Sequence, residues 1–117
     1  MSGALLPNVA GAIVAHNKVH AYLLDPDHPG NGGKAAFFAA FGFARPAWTA
    51  LLEALRAHPR VNPVALIQPN PYGTRYVVRC SLASPDGRNP CITTVWIIDH
   101  GDPFPRLVTA FPSPLEP

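Results

Sequence analysis

The sequence predicts an α+β domain in which N-terminal helices pack on a C-terminal four-stranded antiparallel sheet. Apolar residues recur with a helical period before Pro59 and with a period of two after Pro63. All helical segments precede all strand segments, and turn sequences separate the strands, which is typical of an α+β domain. The 117 residues suit a single domain over 1–117, with a helical part at about 14–58 and a sheet part at about 63–112.

The first two predicted helices lie on either side of a glycine-rich bend. Residues 16–24 form the first helix, which has Val19, Tyr22 and Leu23 at helical spacing and ends before Pro26. Residues 32–41 form the second, and Gly42 is a natural terminator. The apolar side of this second helix consists of Phe37, Phe38 and Phe41.

The third predicted helix has the clearest amphipathic pattern in the chain. Pro46 suits its first turn, and the helix is expected to run to about Ala57, where Pro59 and Pro63 close it. The spacing i, i+3, i+4, i+7 predicts one buried stripe. Its members are Trp48, Leu51, Leu52 and Leu55.

Four strands are predicted after this helix. They cover residues 64–68, 73–83, 91–98 and 106–111. The second alternates polar and apolar residues, with arginines on its polar face. The third is apolar on both faces, as expected for a central strand. Short turn sequences between the strands predict a meander.

The composition excludes several classes of protein. Hydrophobic residues make up 48% of the chain and charged residues 14%, so a disordered tail is excluded. No apolar run approaches the ~18 residues of a membrane span. The apolar N-terminus has no preceding basic residue and is interrupted by Pro7 and Gly11, which argues against a signal peptide. We therefore expect a cytoplasmic protein without membrane partners.

The charges are unevenly distributed along the chain. The formal net charge is +2, but the stretch from His28 to Arg79 holds six lysines and arginines and one acid, Glu53. A basic region on a near-neutral chain suits an anionic partner such as RNA. A solvated, arginine-bearing surface explains the same pattern equally well.

The segment Tyr22–Phe43, YLLDPDHPGNGGKAAFFAAFGF, is the best candidate for an anion site. Its bend leads into a helix start, where backbone amides have no intrahelical partners. Lys34 lies in the first turn, where the helix dipole disfavours a cation, so an external anion is expected there. The bend fails the P-loop pattern, because His28 replaces glycine and Ala35 replaces Ser or Thr.

No metal or cofactor is expected. His16 and His20 share one helical face and His28 follows nearby, but neither H-E-x-x-H nor C-x-x-C occurs, and surface histidines are the favoured interpretation.

The two cysteines flank one predicted hairpin. Cys80 and Cys91 could face each other. Without a secretory signal, two buried free thiols are favoured over a disulfide.

The remaining polar residues suit metal-free cleavage of RNA. His28 is the candidate general acid or base, since a proton must leave a ribose 2′-hydroxyl. Lys34 is the candidate stabiliser of the phosphate oxyanion, and Thr109 could hydrogen-bond a phosphate oxygen. The candidate substrate-binding residues are Arg75, Arg79 and Arg106. Each residue alone also has an ordinary structural explanation, in a turn, a solvated surface or a strand.

The sequence resembles a bacterial family of domains of unknown function. The motifs that carry the resemblance are Tyr22–Phe43, GTRYVV at 73–78, PDGRNP at 85–90, VWII at 95–98 and PRLVTAFP at 105–112. They extend over nearly the whole chain. The chain departs from the family pattern at Asn31-Gly32, where the family has glycine-arginine, and at Phe111, where it has tyrosine. The first departure removes a charge at the bend, and the second removes a hydroxyl.

This resemblance implies a small toxin domain encoded beside a partner gene. It also implies the fold of the barnase, EndoU, colicin and RelE type of ribonuclease, with RNA lying on the sheet. The leading hypothesis is a toxin-like, metal-independent ribonuclease acting on tRNA or mRNA, paired with an antitoxin or immunity protein. The alternatives are a non-catalytic protein-binding module, such as the immunity half of such a pair, and a nucleotide-dependent transferase toxin.

Overall fold

The computed structural model describes residues 4–28, 30 and 33–113. The helices are α1, an α-helical turn at His16–Lys18 continued by a π-helical turn at Val19–Leu23, α2 at Lys34–Ala40 and α3 at Trp48–Val61. Short 3₁₀ turns lie at Val9–Gly11 and Arg45–Ala47. The strands are β1 at Val64–Asn70, β2 at Gly73–Ser81, β3 at Cys91–Asp99 and β4 at Arg106–Pro112. The middle of the predicted bend, at Pro29 and Asn31-Gly32, lies outside the described residues.

The four strands form one antiparallel sheet in the order β1-β2-β3-β4. This order confirms the predicted meander and the α+β class. β3 is central, and its residues 92–96 are all buried, as the apolar pattern predicted. A parallel bridge between Ile13 and Arg106 joins the N-terminal segment to β4.

The two faces of the sheet differ in chemistry because side chains alternate along each strand. Val78, Trp96 and Leu107 belong to the core formed with the helices. Val77 and Val95 are also buried but lie outside that core, on the opposite face. We call this opposite face the arginine face. By register it carries Arg75, Val77, Arg79, Thr93, Val95, Ile97, Arg106, Thr109 and Phe111.

The core between the helices and the sheet is built by the predicted apolar stripes. Leu51 and Leu55 of α3 are fully buried, as is Phe38 of α2. Gly42 adopts φ 99°, which confirms its role in ending α2. Within the described residues no single helix is long and apolar enough to cross a membrane. Of these residues, only α2 and residues 45–61 taken together, which are bent by 83° at the break between them, reach the length and composition of a span.

Pro59 does not end α3 as predicted. The helix continues through Pro59 to Val61, and Pro59 is buried. Asn62 Nδ2 donates to the His58 carbonyl oxygen (3.0 Å) at the end of the helix, and it joins this last turn to β2 by donating to the Ser81 carbonyl oxygen (2.9 Å). The tertiary contact with Ser81 helps to offset the backbone hydrogen bond that proline cannot donate.

The prediction of buried thiols was wrong. Cys80 and Cys91 are both free and both exposed. Cys80 has φ 113°, a conformation that side chains rarely adopt, so the β2 backbone departs from regular alternation there. Partial burial of the Cys91 thiol and its hydrogen bond with Cys80 raise the pKa of this thiol.

A buried chain of hydrogen bonds joins α3 to the sheet. His58, only 1% exposed, donates from Nε2 to the Cys80 carbonyl oxygen at 2.8 Å. The Thr94 hydroxyl donates to His58 Nδ1 at 3.0 Å and accepts from Trp96 Nε1 at 2.8 Å. Each polar side-chain atom of His58, Thr94 and Trp96 has a hydrogen-bond partner only when the His58 imidazole is neutral. Burial accordingly lowers the pKa of His58.

This lowered pKa predicts that acid destabilises the fold. The unfolded chain binds a proton at His58 near pH ~6.5, whereas the folded protein resists protonation until a lower pH. The contribution of His58 is therefore fully present above about pH 6.5 and declines below it, by up to about 1.4 kcal/mol per pH unit. Urea unfolding at about pH 8 and about pH 5 measures the effect. His58→Gln is expected to be less stable but to lose this component of the pH dependence, and His100→Gln, at an exposed site, is expected to keep it. An unchanged pH dependence in His58→Gln would contradict the account.

Candidate functional site

Lys34 is the centre of the candidate site. It is the first residue of α2, after Gly33 with φ 83°. Its Nζ donates hydrogen bonds to the Tyr22 hydroxyl and to Thr109 Oγ1, both at 2.9 Å. The Phe111 ring centroid lies 6.0 Å from the same ammonium. The predicted pair of Lys34 and Thr109, 75 residues apart in sequence, is thus in direct contact.

Among the described residues, no carboxylate neutralises the charge of Lys34. The salt bridges among the described residues involve Arg45, Arg56, Arg88 and Arg106, and Lys34 takes part in none of them. Two neutral hydroxyls hold its ammonium in place without cancelling its charge. A partly buried, positioned cation of this kind is suited to binding an anion.

Tyr22 connects Lys34 with the end of α1. Its hydroxyl lies 3.3 Å from the Gly30 carbonyl oxygen, to which it donates. The hydrogen bond from Lys34 is the main cause of a lowered pKa of the Tyr22 phenol, and the charge of Lys18 contributes. The Lys18 ammonium lies 5.6 Å from the Tyr22 ring centroid. Two lysines therefore favour the phenolate form of Tyr22.

His28 packs against Tyr22, so the third predicted catalytic residue lies beside the other two. The two rings meet edge to face with centroids 5.0 Å apart. The Gly30 amide donates to His28 Nδ1 at 3.0 Å, so a neutral His28 carries its proton on Nε2. A Cβ at Gly30 would lie 3.2 Å from His28 Cε1, so a larger residue there would require the His28 ring to shift slightly. We call Tyr22, His28, Lys34, Thr109 and Phe111 the Lys34 cluster.

Two cavities meet at His28. A polar cavity of about 320 Å³ is lined by Asn17, Lys18, Ala21, Tyr22 and His28. A larger cavity of about 700 Å³ lies on the other side of the ring, between the end of α1 and α2, and its lining is mostly apolar. A ligand at the Lys34 cluster could therefore extend into either space.

All three predicted substrate-binding arginines lie on the arginine face, and Arg75 and Arg79 lie on β2, across the sheet from Thr109. Arg79 shares a register row with Thr93 and Phe111. Strands lie about 4.8 Å apart, so Arg79 and Phe111 are about 10 Å apart at their Cα atoms. Arg75 lies four residues before Arg79 on β2, and its Nε is buried without a hydrogen-bond partner in the described part of the chain. An unpaired buried donor favours binding of an acceptor.

Arg106 differs from the other two arginines. It lies in the register row of Ile97 and Arg75. Its Nε donates to Asp99 Oδ2 at 2.9 Å, and this pairing lowers the pKa of Asp99 and raises that of Arg106. Because Asp99 balances its charge, Arg106 contributes less to an anionic site than the sequence suggested.

The histidines of α1 form an aromatic group. His16 and His20 lie with ring centroids 5.2 and 5.4 Å from that of Trp48. Within residues 4–28, 30 and 33–113, no three His, Cys, Asp or Glu side chains gather as metal ligands.

Tyr22 and Lys18 are the site residues that the sequence analysis missed. Tyr22 was counted only for its helical spacing with Val19 and Leu23, which are fully buried. The signal available in the sequence was the tyrosine hydroxyl itself, since a phenol at the edge of an apolar stripe needs a polar partner.

Comparison with known proteins places the chain in a family. It belongs to the family described as a domain of unknown function (DUF6883), whose model matches residues 5–114. This agrees with the resemblance to a family of domains of unknown function. The search of curated proteins found no match. One similar solved structure is a contact-dependent growth inhibition toxin–immunity protein complex from Klebsiella pneumoniae 342. The TM-score is 0.70 at 15% identity over 86% of this chain and 99% of that one, so the likeness shows the fold alone.

The contact between Lys34 and Tyr22 predicts a measurable change in titration. Replacing Lys34 with Met removes the charge that favours the phenolate, so the pKa of Tyr22 should rise toward the ordinary value of about 10. Tyrosinate absorbance followed against pH measures this shift. The difference between wild type and Lys34→Met should disappear when both proteins also carry Tyr22→Phe. A difference that persists without Tyr22 would show that Lys34 acts on another group.

Proposed function

We propose that this domain is a metal-independent ribonuclease of the toxin type, which cleaves cellular RNA at the Lys34 cluster. The observation that carries the proposal is the position of the Lys34 ammonium, held by Tyr22 and Thr109 with no carboxylate of the described part of the chain paired to it. Such an ammonium can hold a phosphodiester and stabilise the charge that develops during its cleavage.

The chemistry is attack of a ribose 2′-hydroxyl on the adjacent phosphorus. The 2′-oxygen forms a bond to phosphorus, and the bond from phosphorus to the 5′-oxygen breaks. Once Tyr22 has lost its phenol proton to solvent, which the charge of Lys34 favours, its phenolate accepts the 2′-hydroxyl proton, and the Lys34 ammonium donates a proton to the departing 5′-oxygen. The resulting phenol and amine then exchange a proton across their 2.9 Å contact, which restores phenolate and ammonium. Tyr22 and Lys34 together therefore neither gain nor lose a proton over the reaction.

Thr109 and His28 complete the site. The Thr109 hydroxyl, fixed by Lys34, is available to donate to a phosphate oxygen. His28 was assigned the acid–base role from sequence, but its Nδ1 accepts the Gly30 amide. We therefore assign its Nε2–H as a hydrogen-bond donor to the phosphate or the 5′-oxygen.

The arginine face supplies the surface for the rest of the RNA. Arg75 and Arg79 lie on the same face as Thr109 and take part in none of the salt bridges formed within residues 4–28, 30 and 33–113. Their guanidinium groups suit the phosphates that flank the cleaved bond.

The fold likeness supports a role in a toxin–immunity pair, as either the toxin or the immunity protein. The similar structure from Klebsiella is a toxin–immunity protein complex. We extend this to the present chain as a toxin that acts on tRNA or mRNA in the cytoplasm and is neutralised by an antitoxin or immunity protein.

One observation favours a second function, that of a non-catalytic binding module. Leu66 and Ile67 on edge strand β1 are 46% and 57% exposed, and Tyr72 after it is 77% exposed. An exposed apolar edge strand is a common docking element for a partner chain.

Induced expression in bacteria tests the ribonuclease proposal. Wild-type protein should arrest growth and fragment total RNA on a gel. Lys34→Met should abolish both effects, and in purified form it should cut RNA about 100-fold more slowly or worse, because one oxyanion-stabilising group is lost.

Arg60→Met is the matched control, since it removes one positive charge from an exposed position on α3. It should stay toxic. Equal toxicity and RNA fragmentation by Lys34→Met would contradict the assigned site. Normal growth and intact RNA with folded wild-type protein would favour the binding module.

A further inference from the structure

The larger cavity beside His28 has no role in the chemistry described so far. Its volume is about 700 Å³, within the range of small-molecule sites. One wall comes from the end of α1, with Leu24 and Pro26, and the other from α2, with Ala36 and Ala39. The small alanines leave a flat apolar wall, and Phe43 lies deeper as a buried aromatic ring.

The walls of this cavity are held in place by contacts at its rim and behind it. Arg45 donates from Nε to the His20 carbonyl oxygen at 2.9 Å, and its guanidinium lies 3.6 Å from Asp25. These contacts connect the segment after α2 with the end of α1 across the cavity mouth. On the far side, the Asp86 amide donates to the Phe41 carbonyl oxygen at 3.3 Å. The cavity is therefore formed before any ligand arrives.

His28 joins the cavity to the Lys34 cluster. Its ring lines the cavity and also packs on Tyr22, whose hydroxyl binds Lys34. Some ligands could fill both the Lys34 cluster and the larger cavity. Such a ligand would carry an anionic group at Lys34 and a flat, mostly apolar group about the width of one ring away. A nucleotide has this shape, because its phosphate and its base are separated by one sugar.

We propose that this cavity binds the base of the nucleotide whose phosphate lies at Lys34. The base would lie against Ala36 and Ala39, and the edge of the base would meet the polar groups at the rim, His28 and Arg45. This inference rests on the proposed function, and it adds a site that selects the nucleotide beside the cleaved bond.

Binding of small phosphates to the full chain tests the inference without requiring cleavage. The probes are adenosine, guanosine, cytidine and uridine 5′-monophosphates, with ribose 5-phosphate as the ligand that lacks a base. At least one nucleotide should bind about fivefold or more tightly than ribose 5-phosphate, because stacking of a base is favourable. In the wild type, the methyl NMR signals of Ala36 and Ala39 should shift with the nucleotide and not with ribose 5-phosphate.

Variants then locate the base. Ala36→Leu and Ala39→Leu fill the cavity from exposed positions and should remove the advantage of the nucleotide, whereas Ala50→Leu, at an exposed position of α3 outside the cavity lining, should keep it. Lys34→Met should weaken all five ligands alike.

The inference is overturned if ribose 5-phosphate binds as tightly as every nucleotide, if no nucleotide binds, or if the leucine variants keep the advantage. Failure of the ribonuclease proposal looks different: RNA would stay intact while the advantage of the base persisted.

Discussion

The Lys34 ammonium is the contact on which the candidate site depends. It lies at the start of α2, where the helix dipole disfavours a cation, and it is stabilised by hydroxyls from α1 and β4. One side chain therefore joins the helical part of the fold to the edge of the sheet. Because its partners are neutral, the site keeps a positive charge that a phosphate can neutralise.

The two faces of the sheet have different roles: one forms the core with the helices, and the other carries polar groups. Residues such as Trp96 and Val78 bury one face against the helices, and the His58 chain of hydrogen bonds fixes the position of α3 on that face. The opposite face carries Arg75 and Arg79 and leads to Thr109. A rigid core behind the sheet thus positions polar groups in front of it, which is what preorganised binding requires.

The order of the helices and strands could be predicted from the sequence, because burial determines the spacing of apolar residues in α3 and β3. The sequence could not predict that α3 continues through Pro59, since the contact of Asn62 with the Ser81 carbonyl oxygen of β2 depends on the tertiary fold. It identified Lys34 and Thr109 separately from local electrostatics and polarity, but only the register of β4 brings them together. Arg106 was overestimated because its partner Asp99 lies on another strand, and Tyr22 was missed because its spacing matched a buried stripe.

The most direct test of the central claim is the chemistry of the RNA ends. Purified protein is incubated with a defined RNA in the presence of a chelator, beside the same RNA with a single 2′-deoxy nucleotide at the cleavage position. The account predicts cleavage that leaves a 2′,3′-cyclic phosphate and a 5′-hydroxyl, and none at the deoxy position. Intact RNA with folded protein, or cleavage that requires a divalent metal or ignores the missing 2′-hydroxyl, would contradict it.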